Sequence, residues 1–213
     1  MNKGIIEKTE KWVKAQLINE ESGHDWYHIL RVTRTAQQIA KEEHANDEIV
    51  TLAALVHDLA DDKVAQNEKE ALKKIDEWFK ENGLGDEAIA QIISIITTIS
   101  FKGGNGQPVS TLEGKIVQDA DRLDALGAIG IARTFVYSGH KGQPMYDPEL
   151  PVRNEMSIEE YRHGKSSAVH HFYEKLLKLK DQMNTTTGMK LAARRHAFME
   201  TYLEQFYQEW NGR

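Results

Sequence analysis

The chain has 213 residues, 40% of them hydrophobic and 28% charged, with a formal net charge of −6. That length supports one hydrophobic core, with or without an appended segment, and the composition excludes a largely disordered chain. The absence of cysteine excludes disulfides, thiolate zinc sites, iron–sulfur clusters and a cysteine nucleophile, and the acidic balance argues against nucleic acid or an anionic membrane as partner.

Periodicity is helical almost throughout. Ile5, Trp12, Val13 and Leu17 form a first apolar stripe, and a second helix is expected from about Ser22 to His44, with Ser22 and Asp25 at its start and Ile29, Val32, Ala36 and Ile39 on one face. The segment 47–60 begins on Asn46 and Asp47 as caps and carries Leu52, Leu55, Val56 and Leu59. Residues 64–81 carry Leu72, Ile75 and Phe79 and end at Gly83. The isoleucine run from Ile89 to Ile99 has strand-like composition, but its length and its helical neighbours favour a buried helix over 86–99. A glycine loop occupies 103–108, and helices resume at about 110–125 and 127–138. Pro144, Pro148 and Pro151 mark an internal boundary, beyond which 157–181 and 187–210 read as two long amphipathic helices. The expected fold class is all-α. The expected organisation is a helical core over 1–138, a proline-containing connection over 139–156 and a C-terminal helical extension over 157–213 that packs on the core. No apolar run reaches the ~20 residues of a membrane helix, and the start of the chain turns charged at once, so a cytoplasmic location is expected.

Two His-Asp dipeptides stand out. His24-Asp25 lies at a polar helix start, where helix capping by solvated side chains accounts for it; Asp25 can also support His28, three residues on. His57-Asp58 interrupts the apolar string Leu52-Ala53-Ala54-Leu55-Val56. An ionised aspartate inside a core helix is costly unless paired or metal-bound, so this pair is either a satisfied core hydrogen bond or part of a site. His28 lies one helix upstream, and Asp119, Asp121 and Asp124 lie within six residues of an otherwise apolar helix downstream. Imidazole and carboxylate donors on rigid elements suit a divalent cation that keeps positions for water.

The order His28 … His57-Asp58 … Asp121 resembles the HD superfamily of metal-dependent phosphohydrolases, whose pattern is H…HD…D. The strings from His24 to Val32, Ala54 to Asp58 and Asp119 to Ala128 carry the resemblance. The C-terminal strings Lys175 to Thr185 and Gly188 to Ala192 are similar to one branch, the small stand-alone bacterial YpgQ/YedJ-like proteins. The resemblance implies that His28, His57, Asp58 and Asp121 hold the metal, with Asp124 as second choice to Asp121 and with Asp119 and Asp124 otherwise on the helix surface or supporting the ligands. It implies one divalent ion (Mn, Mg, Fe, Co or Ni), since dinuclear relatives need further histidines and this chain has none between His57 and His140.

Asp61 and Asp62 follow the pair. If the helix continues they lie four residues from His57 and Asp58, either as a general base for the attacking water or as a solvated helix end. Lys102 before the glycine loop, Arg31 one turn from His28, and His171 with Lys175 on one face are the candidate phosphate-binding residues, each also readable as ordinary surface. Arg194-Arg195-His196 reads as a solvated basic face, and the stripe Phe198, Tyr202, Phe206 and Trp210 as packing. The glycine loop lacks the Walker pattern, which excludes a P-loop. The implied activity is a nucleotide phosphohydrolase, in this branch cutting (deoxy)nucleoside triphosphates to monophosphate and pyrophosphate. The same ligands would serve a nucleotide monophosphatase, a cyclic-nucleotide phosphodiesterase or an alarmone hydrolase, and a non-catalytic nucleotide-binding module is the rival outside catalysis. The expected partner is a small nucleotide or phosphate ester, with no nucleic acid and no membrane, and a homodimer is compatible with this reading.

Overall fold

The computed structural model describes residues 3–18, 23–61, 67–99, 109–153 and 164–213. Every regular element among them is helical, in agreement with the all-α expectation. The elements are α1 (Lys3–Gln16), α2 (Trp26–Glu42), α3 (Asp47–Val56), α4 (Glu68–Glu81), α5 (Asp86–Thr98), α6 (Leu112–Asp124), α7 (Gly127–His140), α8 (Ala168–Glu174), a 3₁₀ segment (Leu176–Gln182) and α9 (Thr186–Trp210). Contacts divide the chain into two compact units, Met1–Asp121 and Arg122–Arg213, so the division falls within α6 and α7 groups with the C-terminal helices. No helix among the described residues is long and apolar enough to cross a membrane.

The first unit is built around α3. All its residues from Ile49 to Val56 are buried, and α1, α2 and α5 pack against it. A helix that is apolar on all sides has to be surrounded, and this one is. Asn46 caps it, its side-chain oxygen accepting from the N–H groups of Glu48 and Ile49. Trp12 and Trp78 stack at 4.7 Å between α1 and α4, and the Trp78 indole donates to Thr9 Oγ1 at 3.1 Å. The isoleucine run is helical as expected, with Ile89, Ile92, Ile95 and Ile96 buried.

The second unit holds α7, α8, the 3₁₀ segment and α9 in mutual contact. Phe172 is fully buried and lies within 6.2 Å of the Phe135 and Tyr202 ring centres. The expected continuous helix over 157–181 is interrupted. Residues 154–163 lie outside the described residues, and α8 ends at Glu174, followed by Lys175, whose φ of −136° and ψ of −58° leave the helical region. The chain continues as 3₁₀, where residues three apart share a face, and Leu176 and Leu179 are both buried. The apolar spacing in the sequence suits either geometry, so it did not reveal the break.

Of the stretch 194–196, Arg194 is exposed as expected, but Arg195 and His196 are not part of a solvated face. Arg195 Nη1 donates to the Leu123 carbonyl, and burial lowers the guanidinium pKa, with Asp124 opposing. His196 is buried and its Nε2 lies 3.4 Å from Glu200 Oε1. The aromatic stripe is largely packing: Tyr202, Phe206 and Trp210 sit among other rings, Trp210 with part of its surface exposed, while Phe198 is exposed.

Candidate metal centre

The site forms where α3 ends. The helix stops at Val56, and the next residues turn through bonds from Leu59 N–H to the Val56 carbonyl and from Asp61 N–H to the Asp58 carbonyl, each 3.1 Å. The α-helix therefore does not continue to Asp61 and Asp62, and the four-residue spacing expected to aim them back at the pair does not hold for Asp61. Asp61 is instead tied three residues after Asp58 and is half-buried; Asp62 lies outside the described residues.

Because α3 is the most enclosed helix of its unit, His57 and Asp58 emerge buried, each 5% exposed. His57 Nδ1 lies 2.8 Å from the Ala54 carbonyl oxygen. A carbonyl only accepts, so Nδ1 carries a hydrogen and the lone pair of the neutral ring is on Nε2. That nitrogen is buried without a hydrogen-bond partner among the described residues.

At the start of α2, the Asp25 carboxylate accepts from the His28 N–H at 2.7 Å, so Asp25 rather than Ser22 is the cap. Ser22 lies outside the described residues. The cap fixes the first turn and with it the His28 ring, whose Nε2 is 3.2 Å from Asp58 Oδ2 and 3.5 Å from Asp121 Oδ1. His57 Nε2 is 3.3 Å from Asp58 Oδ1 and 3.9 Å from Asp121 Oδ1. The structure thus brings together all four residues that the resemblance named, from the ends of α2 and α3 and from α6. The Asp121 side chain is 41% exposed while those of His28, His57 and Asp58 are below 10%.

His24, which the sequence places at a polar helix start, also joins the cluster. His24 Nδ1 lies 2.7 Å from Asp58 Oδ2, and the His24 and His28 rings meet edge to face at 5.6 Å. Donor atoms of His24, His28 and Asp58 lie within 4.8 Å of one another, as do those of His28, His57 and Asp121. The available signal was the spacing of four between His24 and His28; the polar surroundings of His24-Asp25 concealed it.

Burial disfavours an ionised Asp58, but the neighbouring His57 imidazole and hydrogen bonds from His24 and His28 outweigh it and hold the carboxyl well below its ordinary value. The centre therefore offers an anionic carboxylate. Nitrogen and oxygen donors without sulfur, one of them an orphaned buried imidazole nitrogen, fit a divalent cation of borderline or hard character.

The other aspartates of α6 are not surface residues. Asp119 is fully buried, and Asp124 is buried with its Oδ2 2.6 Å from Arg133 Nη1. Arg31 lies on α2 one turn past His28 and is half-buried. Lys102 lies outside the described residues. His171 and Lys175 belong to the second unit. Burial, and then the neighbouring Lys175 and Arg153 charges against Glu174, lower the His171 pKa to about 4. At neutral pH His171 offers hydrogen bonds and no charge.

Residues 25–126 match the HD domain family. The chain is 40% identical to the YpgQ protein of Bacillus subtilis over 208 residues, covering 97% of this chain and 94% of YpgQ. The crystal structure of an HD-superfamily hydrolase from Bacillus thuringiensis is 44% identical, covers all of both chains and superposes with a TM-score of 0.81. The crystal structure of Bacillus subtilis YpgQ in complex with ADP is 39% identical, covers 96% of this chain and 97% of that one, and gives a TM-score of 0.77. Near-complete coverage at this identity, with the family's segment spanning His28, His57, Asp58 and Asp121, makes the chain a member of the HD-domain family.

Proposed function

We propose that the protein is a divalent-cation-dependent phosphohydrolase of nucleotides that cuts (deoxy)nucleoside triphosphates to the monophosphate and pyrophosphate. The observation that carries this reading is the convergence of His28, His57, Asp58 and Asp121 within 3.2–3.9 Å at the ends of separate helices. The hydrolase relative supports the reaction class, and the ADP held by YpgQ supports a nucleotide substrate.

In this reading those four residues hold the cation. A bound divalent ion supplies Lewis acidity, lowering the pKa of water and offsetting phosphoryl charge. A carboxylate oxygen of Asp61, or of Asp62, accepts the proton of the attacking water. The water oxygen forms its bond to the α-phosphorus, the bond from that phosphorus to the bridging oxygen breaks, and pyrophosphate leaves with the electron pair. Arg31 donates to the substrate phosphates from α2, and Lys102 adds a second cation. Burial of His28, His57 and Asp58 keeps bulk water from the donors while exposed Asp121 faces the entry.

The test is a panel of nucleoside and deoxynucleoside triphosphates, monophosphates, cyclic nucleotides and alarmones, run with manganese, magnesium, cobalt and nickel in turn. Pyrophosphate release from triphosphates is expected, with metal lost from His57→Ala and Asp121→Ala while helical content is retained. Phosphate released from monophosphates alone would replace the substrate assignment. Unchanged metal content in both variants would overturn the metal centre itself.

A further inference from the structure

His24 has a side chain only 16% exposed, and its Nδ1 lies 2.7 Å from Asp58 Oδ2. A carboxylate that serves a cation is ionised and can only accept, so the imidazole donates through Nδ1–H, in the charge-assisted distance range. The other oxygen, Oδ1, lies 3.3 Å from His57 Nε2. The two oxygens of Asp58 are therefore differentiated: Oδ2 is engaged by His24, with His28 Nε2 3.2 Å away, and Oδ1 faces His57.

The backbone explains why His24 reaches there. Asp25 is the cap of α2, with extended ψ of 170° and its side chain on the His28 N–H. His24 thus sits just outside the helix, its ring edge to face with that of His28. The dipeptide acts at two points: Asp25 sets the first turn that carries His28, and His24 sets Asp58.

We propose that His24 is a positioning residue that locks Asp58, leaving Oδ1 for the cation shared with His28, His57 and Asp121, an inference that rests on the metal-centre reading above. Hydrogen bonds to a ligating carboxylate tune it as strongly as bonds to a ligating histidine, and losing such a partner costs about 10–100-fold in metal affinity or activity. His24 does not itself ligate a cation.

The experiment measures manganese binding by calorimetry to metal-stripped protein, and nucleotide hydrolysis, for the wild type, His24→Leu, His24→Asn, His24→Gln and His57→Ala. Asparagine places an amide N–H near the position of imidazole Nδ1; glutamine places it near that of Nε2. The wild type is expected to bind one ion. His24→Leu is expected to weaken binding 10–100-fold and to lower kcat with the nucleotide KM unchanged. His24→Asn is expected within threefold of the wild type, and His24→Gln to be weakened at least tenfold. The asparagine and glutamine pair decides the matter even if the leucine variant fails to fold. Equal binding by the asparagine and glutamine variants overturns the proposal, as does a wild type that binds two ions and a His24 variant that binds one. Wild-type binding by His57→Ala would instead overturn the metal-centre reading, so the two failures are distinguishable.

Discussion

A buried carboxylate persists only where N–H donors or cations surround it, and this chain solves that problem differently at Asp58 and at Glu174. Asp58 is served by imidazoles, which can equally turn toward a metal. Glu174, with a side chain 1% exposed, takes Arg153 Nε on Oε1 at 2.7 Å, Arg153 Nη2 on Oε2 at 2.7 Å, and the Ser166 hydroxyl on Oε2 at 3.0 Å. A planar guanidinium fork saturates both oxygens and leaves nothing for a ligand, which marks the second pair as structural. Arg153→Ala is expected to cost about 3–5 kcal/mol in urea unfolding at pH 7, because it strands the carboxylate. Burial of Glu174 opposes ionisation, but the Arg153 and Ser166 bonds outweigh it and lower the pKa below its ordinary 4.5. The stabilisation is therefore complete above about 4.5 and is lost as the pH falls through the lower folded value. The gap between wild type and Arg153→Ala should shrink between pH 7 and pH 3; a constant gap would contradict the assignment. The sequence announced His57-Asp58 through its apolar context. It did not announce the Arg153–Glu174 pair, whose members lie 21 residues apart and look like any surface charges.

Helix ends, more than helix bodies, decide where chemistry sits in this fold. The apolar periods located α2, α3, α5 and α6, and the residues that matter lie at or beyond their limits: His24 before α2, His57 and Asp58 after α3, Asp121 in the last turn of α6. Asn46→Ala removes the cap that starts α3 and is expected to cost about 1 kcal/mol in thermal unfolding. Two glycines of α7 should respond with opposite signs. A Cβ at Gly130 would lie 2.2 Å from the Ala125 carbonyl oxygen, so Gly130→Ala must displace the backbone between α6 and α7, at about 3 kcal/mol. A Cβ at Gly139 meets nothing within 4 Å, and Gly139→Ala is expected to stabilise by about 0.5–1 kcal/mol. The break at Lys175 and the turn after Val56 were illegible because apolar spacings of three and four fit an α-helix, a 3₁₀ segment and a helix end alike.

For the molecule as a whole, the proposed assignment of His28, His57, Asp58 and Asp121 to a cation would link ion concentration to folding of the Met1–Asp121 unit. An ion that binds only the folded form adds about 2.7 kcal/mol at a hundred times its Kd. Manganese is expected to raise the unfolding midpoint of metal-stripped wild type and to leave that of His57→Ala in place. A shift of equal size in the variant would separate the ion from these ligands.

The all-helical class and the central burial of 52–56 were determined by the sequence alone, since periodic apolar faces are local facts about a chain; the choice of His28, His57, Asp58 and Asp121 among its ionisable residues came from the resemblance to the HD superfamily. Only the tertiary structure decided that His24 faces Asp58, that Asp124 pairs with Arg133, and that Arg195 turns onto the Leu123 carbonyl. Those partners are chosen by where helix ends meet in space, and a polar side chain carries no mark of its partner until the backbone has brought the two together.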